Sequence, residues 1–136
     1  LDLIDDAYNA NPTSLRAAMQ VLAEADASRK IAFLGDMKEL GEKEHDFHRK
    51  VAQWPCTDAI DVIHTVGPLM KSLHDVLPDG KRGQHFEDSA AMAAQATQLV
   101  QAGDAVLLKA SLSTNMRKVV DALQELGHPP MDNKGP

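Results

Sequence analysis

Short apolar runs alternate with stretches of helical periodicity along the 136 residues of the chain. The first run contains Leu3 and Ile4, and the others cover residues 31–34, 59–66 and 105–108. Residues 84–86 are predicted to form a short edge strand. Between these runs, apolar residues recur at three- and four-residue spacing, which is typical of amphipathic helices. Strands that alternate with helices predict an α/β fold, in which a mostly parallel sheet carries helices on both faces.

Capping residues mark the ends of the predicted helices. Asn11 and Pro12 suit the N-cap and the first position of the first helix, and Gly127 suits the end of the last one. Three prolines follow Gly127, so we expect a flexible tail over residues 128–136. The other three helices are predicted at about residues 42–53, from Pro68 onward, and from an Asp88 cap to about residue 101.

Polar residues follow three of the predicted strands, in segments 5–12, 35–41 and 109–115. The carboxyl ends of parallel strands lie at one edge of a sheet, and ligands of open α/β sheets bind outside that edge. We therefore expect the three segments to converge there.

Composition and charge exclude several classes of function. Apolar residues make up 43% of the chain and charged residues 25%, as in ordinary globular domains. A net charge of −6 without a basic cluster argues against a nucleic-acid-binding surface. No apolar run approaches the roughly 18 residues of a membrane span, and no basic-then-apolar leader is present, so we expect a cytoplasmic protein. Cys56 is the single cysteine, which we predict to be a buried, inert thiol.

The carboxylates and amides of segment 5–12 leave two interpretations open. Asp6 could accept hydrogen bonds from two ribose hydroxyls, or Asp5 and Asp6 could only cap a turn. Asn9 and Asn11 leave the same choice, and capping is favoured for Asn11. Glycine-rich phosphate loops are absent from the sequence, so the chain cannot build a triphosphate site by itself.

Two further groups of side chains are candidates for a chemical role. His45 and His48 are three residues apart without a third ligand, so a solvated helix face is favoured over a metal site. The hydroxyl groups of segment 111–114 lack the pattern of a hydrolase nucleophile, and we expect them to cap the last helix. Lys109 ends a buried strand, where its ammonium group needs a carboxylate or phosphate partner.

Four motifs together carry a family resemblance. They are Asp-Asp-Ala-Tyr-Asn-Ala-Asn-Pro at 5–12, Leu-Gly-Asp-Met-Lys-Glu-Leu-Gly at 34–41, His-Arg at 48–49 and Thr-Val-Gly at 65–67. From residue 3 to about residue 126, the chain resembles the C-terminal domain of a Mur ligase. The resemblance implies a Rossmann-like domain over residues 1–127. Within the family, the 35–41 loop favours the ligase that adds D-alanyl-D-alanine.

The resemblance also implies a reaction in peptidoglycan precursor synthesis. The domain would close over ATP held by a central ATPase domain that carries the phosphate loop and the Mg²⁺ ligands. ATP would phosphorylate the carboxylate of UDP-N-acetylmuramoyl-tripeptide, and the amine of D-alanyl-D-alanine would attack the acyl phosphate. The 136-residue chain alone would then be inactive. The alternatives are another Mur-type amide ligase and a stand-alone, non-catalytic α/β binding module.

Site residues follow from the resemblance position by position, and none of them is implied to be catalytic or a metal ligand. The nucleotide side comprises Asp6, Tyr8, Asn9 and Asn11. The amino-substrate side comprises Asp36, Lys109 and Ser111. The chain departs from the usual Lys-Gly-Ser pattern of the family at Ala110, and Leu112 stands where a polar residue is usual.

Overall fold

The computed structural model describes residues 1–6 and 10–127. Within them, five strands form one sheet in the order β1-β5-β2-β3-β4, and every neighbouring pair is parallel. The predicted α/β class and parallel sheet are confirmed. The strands are β1 Asp2–Asp6, β2 Arg29–Gly35, β3 Val62–Val66, β4 Arg82–Phe86 and β5 Asp104–Lys109.

Helices cover both faces of this sheet. One apolar core packs helices α1 and α3 and the segment after α2 against Ala32, Leu34 and Leu107. The other packs α4 and α5 against Phe33 and Leu108. Adjacent residues of β2 and β5 thus face opposite cores, as the strand period of two requires. The helices are α1 Pro12–Ala23, α2 Glu44–Lys50, α3 Lys71–Val76, α4 Ser89–Ala96 and α5 Arg117–Gly127.

The predicted caps of α1 and α4 are confirmed. Asn11 Oδ1 accepts the Ser14 N–H at 2.9 Å, and the Ser14 hydroxyl oxygen accepts the Asn11 N–H at 3.1 Å. This reciprocal pair is a capping box. Asp88 Oδ1 accepts the Ala91 N–H at 2.9 Å. Helix α5 ends at Gly127, and the predicted tail at 128–136 lies outside the described residues.

Several predicted boundaries were wrong. The strand predicted from residue 59 begins at Val62, because Pro55–Ala59 is a 3₁₀ helix and the Asp61 carboxylate accepts the Lys30 N–H at 2.7 Å. The helix predicted over 42–53 is α-helical only in α2, with 3₁₀ turns on either side. Helix α3 begins three residues after Pro68, and α4 ends at Ala96 rather than near residue 101.

The single cysteine belongs to the core on the α1 face of the sheet. Cys56 is buried, and burial raises the pKa of its thiol, as predicted for an inert cysteine. No helix in the described parts of the chain has the length and apolar character needed to cross a bilayer.

A buried histidine lies where the β3–β4 pairing is irregular. The register between these strands shifts between Ile63 and Thr65. The His64 side chain between them accepts the Gln84 N–H on Nδ1 at 3.0 Å. A side chain on Gly83 would collide with this ring, so the glycine makes room for it. Burial, with a smaller contribution from the charge of Arg29, lowers the pKa of His64 to about 4.

This pKa predicts an acid-sensitive fold. The folded-state pKa lies below the value of about 6.5 expected in the unfolded chain, so protonation favours unfolding. Stability is fully present above pH 6.5 and is lost as the pH falls towards 4. We expect His64 to remove about 2 kcal/mol of unfolding free energy between pH 7 and pH 5. Urea denaturation at the two pH values measures this loss.

His64→Asn is the matched variant for this measurement. Its amide oxygen can accept the Gln84 N–H, but the side chain does not titrate. The pH-dependent loss should shrink in the variant, because the contributions of all other groups cancel in the comparison. Equal losses in the two proteins would contradict the role given to His64.

Candidate functional site

The three polar segments meet at the carboxyl edge of the sheet. Lys109, the last residue of β5, is in register with Asp6 of β1 on one side and with Leu34 of β2 on the other. Just beyond the strands, the Ser111 N–H donates to the Asp36 carbonyl at 3.0 Å. The predicted convergence is confirmed for the described residues, and it places the candidate site at this edge.

An ion pair joins two of the predicted site residues. The Lys109 side chain is only 2% exposed, and its Nζ donates to Asp6 Oδ2. The carboxylate partner predicted for this lysine is therefore Asp6. The Asp6 side chain remains 48% exposed, so it can contact a further group while it holds the ammonium.

Of the other predicted nucleotide-side residues, the structure describes Asn11 but not Tyr8 or Asn9. Asn11 is exposed at the start of α1, where its Oδ1 is used by the capping box. Tyr8 and Asn9 lie outside the described residues. Asp6 is thus the nucleotide-side candidate whose surroundings the structure defines best.

Asp36 is held by the turn that follows β3. Its buried carboxylate accepts the Met70 N–H on Oδ1 at 2.8 Å. The other oxygen, Oδ2, lies 3.6 Å from Lys38 Nζ, whose side chain is half exposed. A Cβ on Gly67 would lie 2.5 Å from Asp36 Oδ1, so only glycine allows this close approach.

Asp36 and Lys38 open onto a cleft of about 300 Å³ at the same edge. The loops after β2, β3, β4 and β5 all contribute to its walls. Its walls carry one ammonium group, that of Lys38, and three carboxylates, those of Asp36, Glu87 and Asp88. A ligand with both an ammonium and a carboxylate group therefore has oppositely charged partners for each. The principal lining residues are Asp36, Lys38, Gly67, Glu87, Asp88 and Thr114.

The other two predicted amino-substrate residues do not line this cleft. Lys109 turns towards Asp6 and β1 instead. Ser111 acts on the loop after β2, since its Oγ accepts the Lys38 N–H at 3.0 Å while its own N–H binds the Asp36 carbonyl. The structure thus gives Ser111 a role in holding the two cleft residues.

The prediction that segment 111–114 caps the last helix was wrong. Leu112–Thr114 forms a 3₁₀ helix, and Asn115 follows in the left-handed conformation with φ of 57°. Helix α5 begins only at Arg117, and its first turn is closed by the Val120 N–H on the Met116 carbonyl. The left-handed Asn115 therefore separates these hydroxyl groups from the helix.

Comparison with known proteins identifies the family. Residues 1–112 match the family model described as "Mur ligase, glutamate ligase domain". The chain belongs to the Mur ligase family.

Individual Mur ligases match nearly all of this chain. The UDP-N-acetylmuramoyl-tripeptide–D-alanyl-D-alanine ligase of Escherichia coli (strain K12) is 39% identical over 127 residues, which are 92% of this chain and 27% of the relative. The ligase of the same name from Bacillus subtilis (strain 168) is 35% identical, over 92% of this chain and 28% of the relative. The chain thus spans little more than a quarter of the length of these relatives.

Solved structures agree in fold. A MurF ligase from Thermotoga maritima in complex with ADP superposes with a TM-score of 0.75 at 25% identity, and MurF from Acinetobacter baumannii with 0.74 at 31%. Each comparison covers 90% of this chain and 28% of the other. The parallel sheet and its covering helices are therefore those of a Mur ligase domain.

Alanine stands at position 110 of this Mur ligase chain, where the family usually has the glycine of Lys-Gly-Ser, and Gly35 on the neighbouring strand makes room for it. Ala110 is fully buried, and its Cβ lies 2.7 Å from the position where a Cβ of Gly35 would stand. Gly35 therefore provides the room that the methyl group of Ala110 occupies. Leu112, the second departure, is 68% exposed and adds no polar group to the edge.

The site contains a histidine that sequence reasoning missed. His48 is not on a solvated helix face, as predicted, but is fully buried, and its Nε2 accepts the Met37 N–H at 2.9 Å. His45, by contrast, is exposed and contacts Ser72 Oγ at 2.6 Å. The signal was present in the sequence, because His48 and the buried Val51 share a helix face at three-residue spacing.

The described residues contain no cluster that could hold a metal ion. No group of three or more His, Cys, Asp or Glu side chains in residues 1–6 and 10–127 has suitable geometry.

Replacing Gly67 tests the support of Asp36. Gly67 has φ of 104°, and an added Cβ would collide with the Asp36 carboxylate. We expect Gly67→Ala to lower the unfolding free energy by about 2 kcal/mol or more and to shift the Met70 amide resonance. Gly80→Ala is the control, because no atom lies within 4 Å of its added Cβ. Equal effects of the two substitutions, measured by urea denaturation, would contradict the assigned contact.

Proposed function

We propose that this chain is the C-terminal domain of an ATP-dependent ligase that joins D-alanyl-D-alanine to UDP-N-acetylmuramoyl-tripeptide. The observation that carries the proposal is the match of about 90% of the chain to UDP-N-acetylmuramoyl-tripeptide–D-alanyl-D-alanine ligases and to a MurF ligase solved with ADP. These relatives are much longer than the chain. In our proposal, the triphosphate site and the Mg²⁺ ligands belong to a central domain of the full-length protein.

The nucleotide side of the proposed site is the β1 end of the edge. The exposed part of the Asp6 carboxylate would accept hydrogen bonds from the ribose hydroxyls, with Tyr8, Asn9 and Asn11 beside the nucleotide. The ion pair with Lys109 supports this role, because it restricts the carboxylate while leaving about half of the side chain accessible. A restricted acceptor loses less entropy when it binds a ligand.

The amino-substrate side is the cleft. We infer that Asp36 orients the amino group of D-alanyl-D-alanine and that Lys38 faces its carboxylate. Both side chains line the cleft, and Asp36 Oδ2 lies 3.6 Å from Lys38 Nζ. Lys109 would act through Asp6 rather than contact the dipeptide directly. Ser111 would hold the backbone of Asp36 and Lys38 through its two hydrogen bonds.

The chemistry that this arrangement serves has two steps. ATP transfers its γ-phosphoryl group to the tripeptide carboxylate, which gives an acyl phosphate and ADP. The dipeptide amine then attacks the acyl carbon, the amide bond forms, and phosphate and a proton leave. Both steps depend on positioning and on exclusion of water from the acyl phosphate, which a closing domain provides.

The Asp6→Asn variant of the full-length enzyme tests the nucleotide role. Asparagine keeps the size of the side chain and one acceptor oxygen but removes the charge that strengthens hydrogen bonds to the ribose. It also removes the charge that pairs with the buried Lys109, so we expect the unfolding free energy of the variant to fall as well, and the assays are made under conditions in which the variant is folded. We expect the KM for ATP to rise about ten-fold and the KM for D-alanyl-D-alanine to change little. Asp2→Asn, an exposed change at the other end of the same strand, is the matched control.

Two outcomes of these assays would overturn parts of the proposal. An unchanged KM for ATP in Asp6→Asn would remove Asp6 from the ribose site. The 136-residue chain alone should not hydrolyse ATP and should bind ATP or D-alanyl-D-alanine at millimolar levels or not at all. Turnover by the chain alone would overturn the division of the site between two domains.

A further inference from the structure

The loop after β2 is anchored from three sides. The Asp36 carbonyl and the Lys38 N–H both bind Ser111, and the Asp36 carboxylate binds the Met70 N–H. Between the two cleft residues, the Met37 N–H donates to His48 Nε2. Helix α2 thus contributes one side chain to the backbone that presents Asp36 and Lys38.

The same loop contains a strained residue, which makes these anchors necessary. Glu39 has a φ of 64°, a left-handed conformation that is unusual for a residue with a side chain. Such conformations persist only where surrounding contacts impose them. If the hydrogen bond from Met37 to His48 is lost, the strain at Glu39 therefore favours a change in the conformation of this loop.

The hydrogen bonds of His48 define which nitrogen carries its proton. Nδ1 lies 2.6 Å from the Glu44 carbonyl, which can only accept, so Nδ1 is the protonated nitrogen. Nε2 is then the free acceptor that the Met37 N–H requires. The ring can fill both roles only in its neutral form.

We propose that His48 is a positioning residue for the amino-substrate site, because it fixes the Met37 backbone between Asp36 and Lys38. The proposal rests on the function proposed above for this cleft. His48 does not contact the cleft itself, and its effect reaches the dipeptide through these two side chains. The nucleotide side, at Asp6 and Lys109, is anchored independently of it.

Protonation of His48 should disrupt the arrangement. A proton on Nε2 would place two donors, Nε2–H and Met37 N–H, against each other. Burial lowers the pKa of His48, and the charge of His45 lowers it further. The contact with the Glu44 carbonyl and the carboxylates of Asp36 and Glu44 act in the opposite direction. The anchor is therefore intact at neutral pH and is lost only in acid, below the pH at which an exposed histidine gains its proton.

Two variants of the full-length enzyme separate positioning from packing. His48→Leu fills the buried space without an acceptor, whereas Gln can place an oxygen near the position of Nε2. We expect His48→Leu to raise the KM for D-alanyl-D-alanine about ten-fold, with the KM for ATP changed less than about two-fold. His48→Gln should recover most of this loss, and His45→Leu, on the exposed face of α2, should resemble the wild type.

Two further readouts do not depend on the size of the KM change in His48→Leu. Hydrogen exchange of the Met37 amide should be faster in His48→Leu than in His48→Gln. In the wild type, the KM for D-alanyl-D-alanine should rise as the pH is lowered through the range in which His48 gains its proton, and this rise should be smaller in His48→Gln. The pH readout needs only the wild type and His48→Gln, so it keeps the proposal testable even if the leucine variant fails to fold.

The outcomes distinguish this proposal from the proposed function. A wild-type enzyme without D-alanyl-D-alanine-dependent turnover would overturn the function and the positioning role with it. A wild type that turns over, with an unchanged KM for the dipeptide in His48→Leu, would overturn the role of His48 alone. The role of His48 would also be overturned if the leucine and glutamine variants were equally impaired, exchanged the Met37 amide at equal rates and kept the pH profile of the wild type. Those results together would show that His48 has a purely structural role.

Discussion

The charge of Lys109 is the constraint on which the carboxyl edge depends. The lysine ends strand β5, which lies between β1 and β2, and its side chain is almost completely buried. A buried ammonium group without a partner is strongly destabilising, so this position requires a carboxylate within reach. Asp6 supplies it from the neighbouring strand. The ion pair therefore fixes the end of β1, from which the motif at 5–12 continues.

On the other side of β5, hydrogen bonds rather than an ion pair hold the loop after β2 in place. Ser111 binds the backbone of both Asp36 and Lys38, and Gly67 lets the turn after β3 approach the Asp36 carboxylate. A mixed-charge cleft thus forms from loops of four strands, next to the ion pair but separate from it. The edge therefore presents two neighbouring surfaces. We assign the surface at Asp6 to the nucleotide and the cleft at Asp36 and Lys38 to the amino substrate.

The fold was predictable from sequence because its signals are local. Strand periodicity, the Asn11 and Asp88 caps and the polar strand exits all depend on residues close together in the chain. Details that depend on distant partners were not predictable. Strand β3 begins late because the Asp61 side chain binds the Lys30 backbone, 31 residues away in sequence. The burial of His48 could have been predicted from the helix face that it shares with Val51, but its hydrogen bond could not, because its partner Met37 lies in a loop without periodicity.

Hydrogen exchange of the full-length enzyme tests the central claim most directly, namely that the carboxyl edge of this sheet is one half of the ligase active site. We predict that ATP and D-alanyl-D-alanine, added together, slow exchange in peptides that cover segments 5–12, 35–41 and 109–115. Peptides at the opposite edge, covering residues 24–29 and 98–103, should exchange at unchanged rates. Protection at the opposite edge, or no protection in the three segments, would contradict the account.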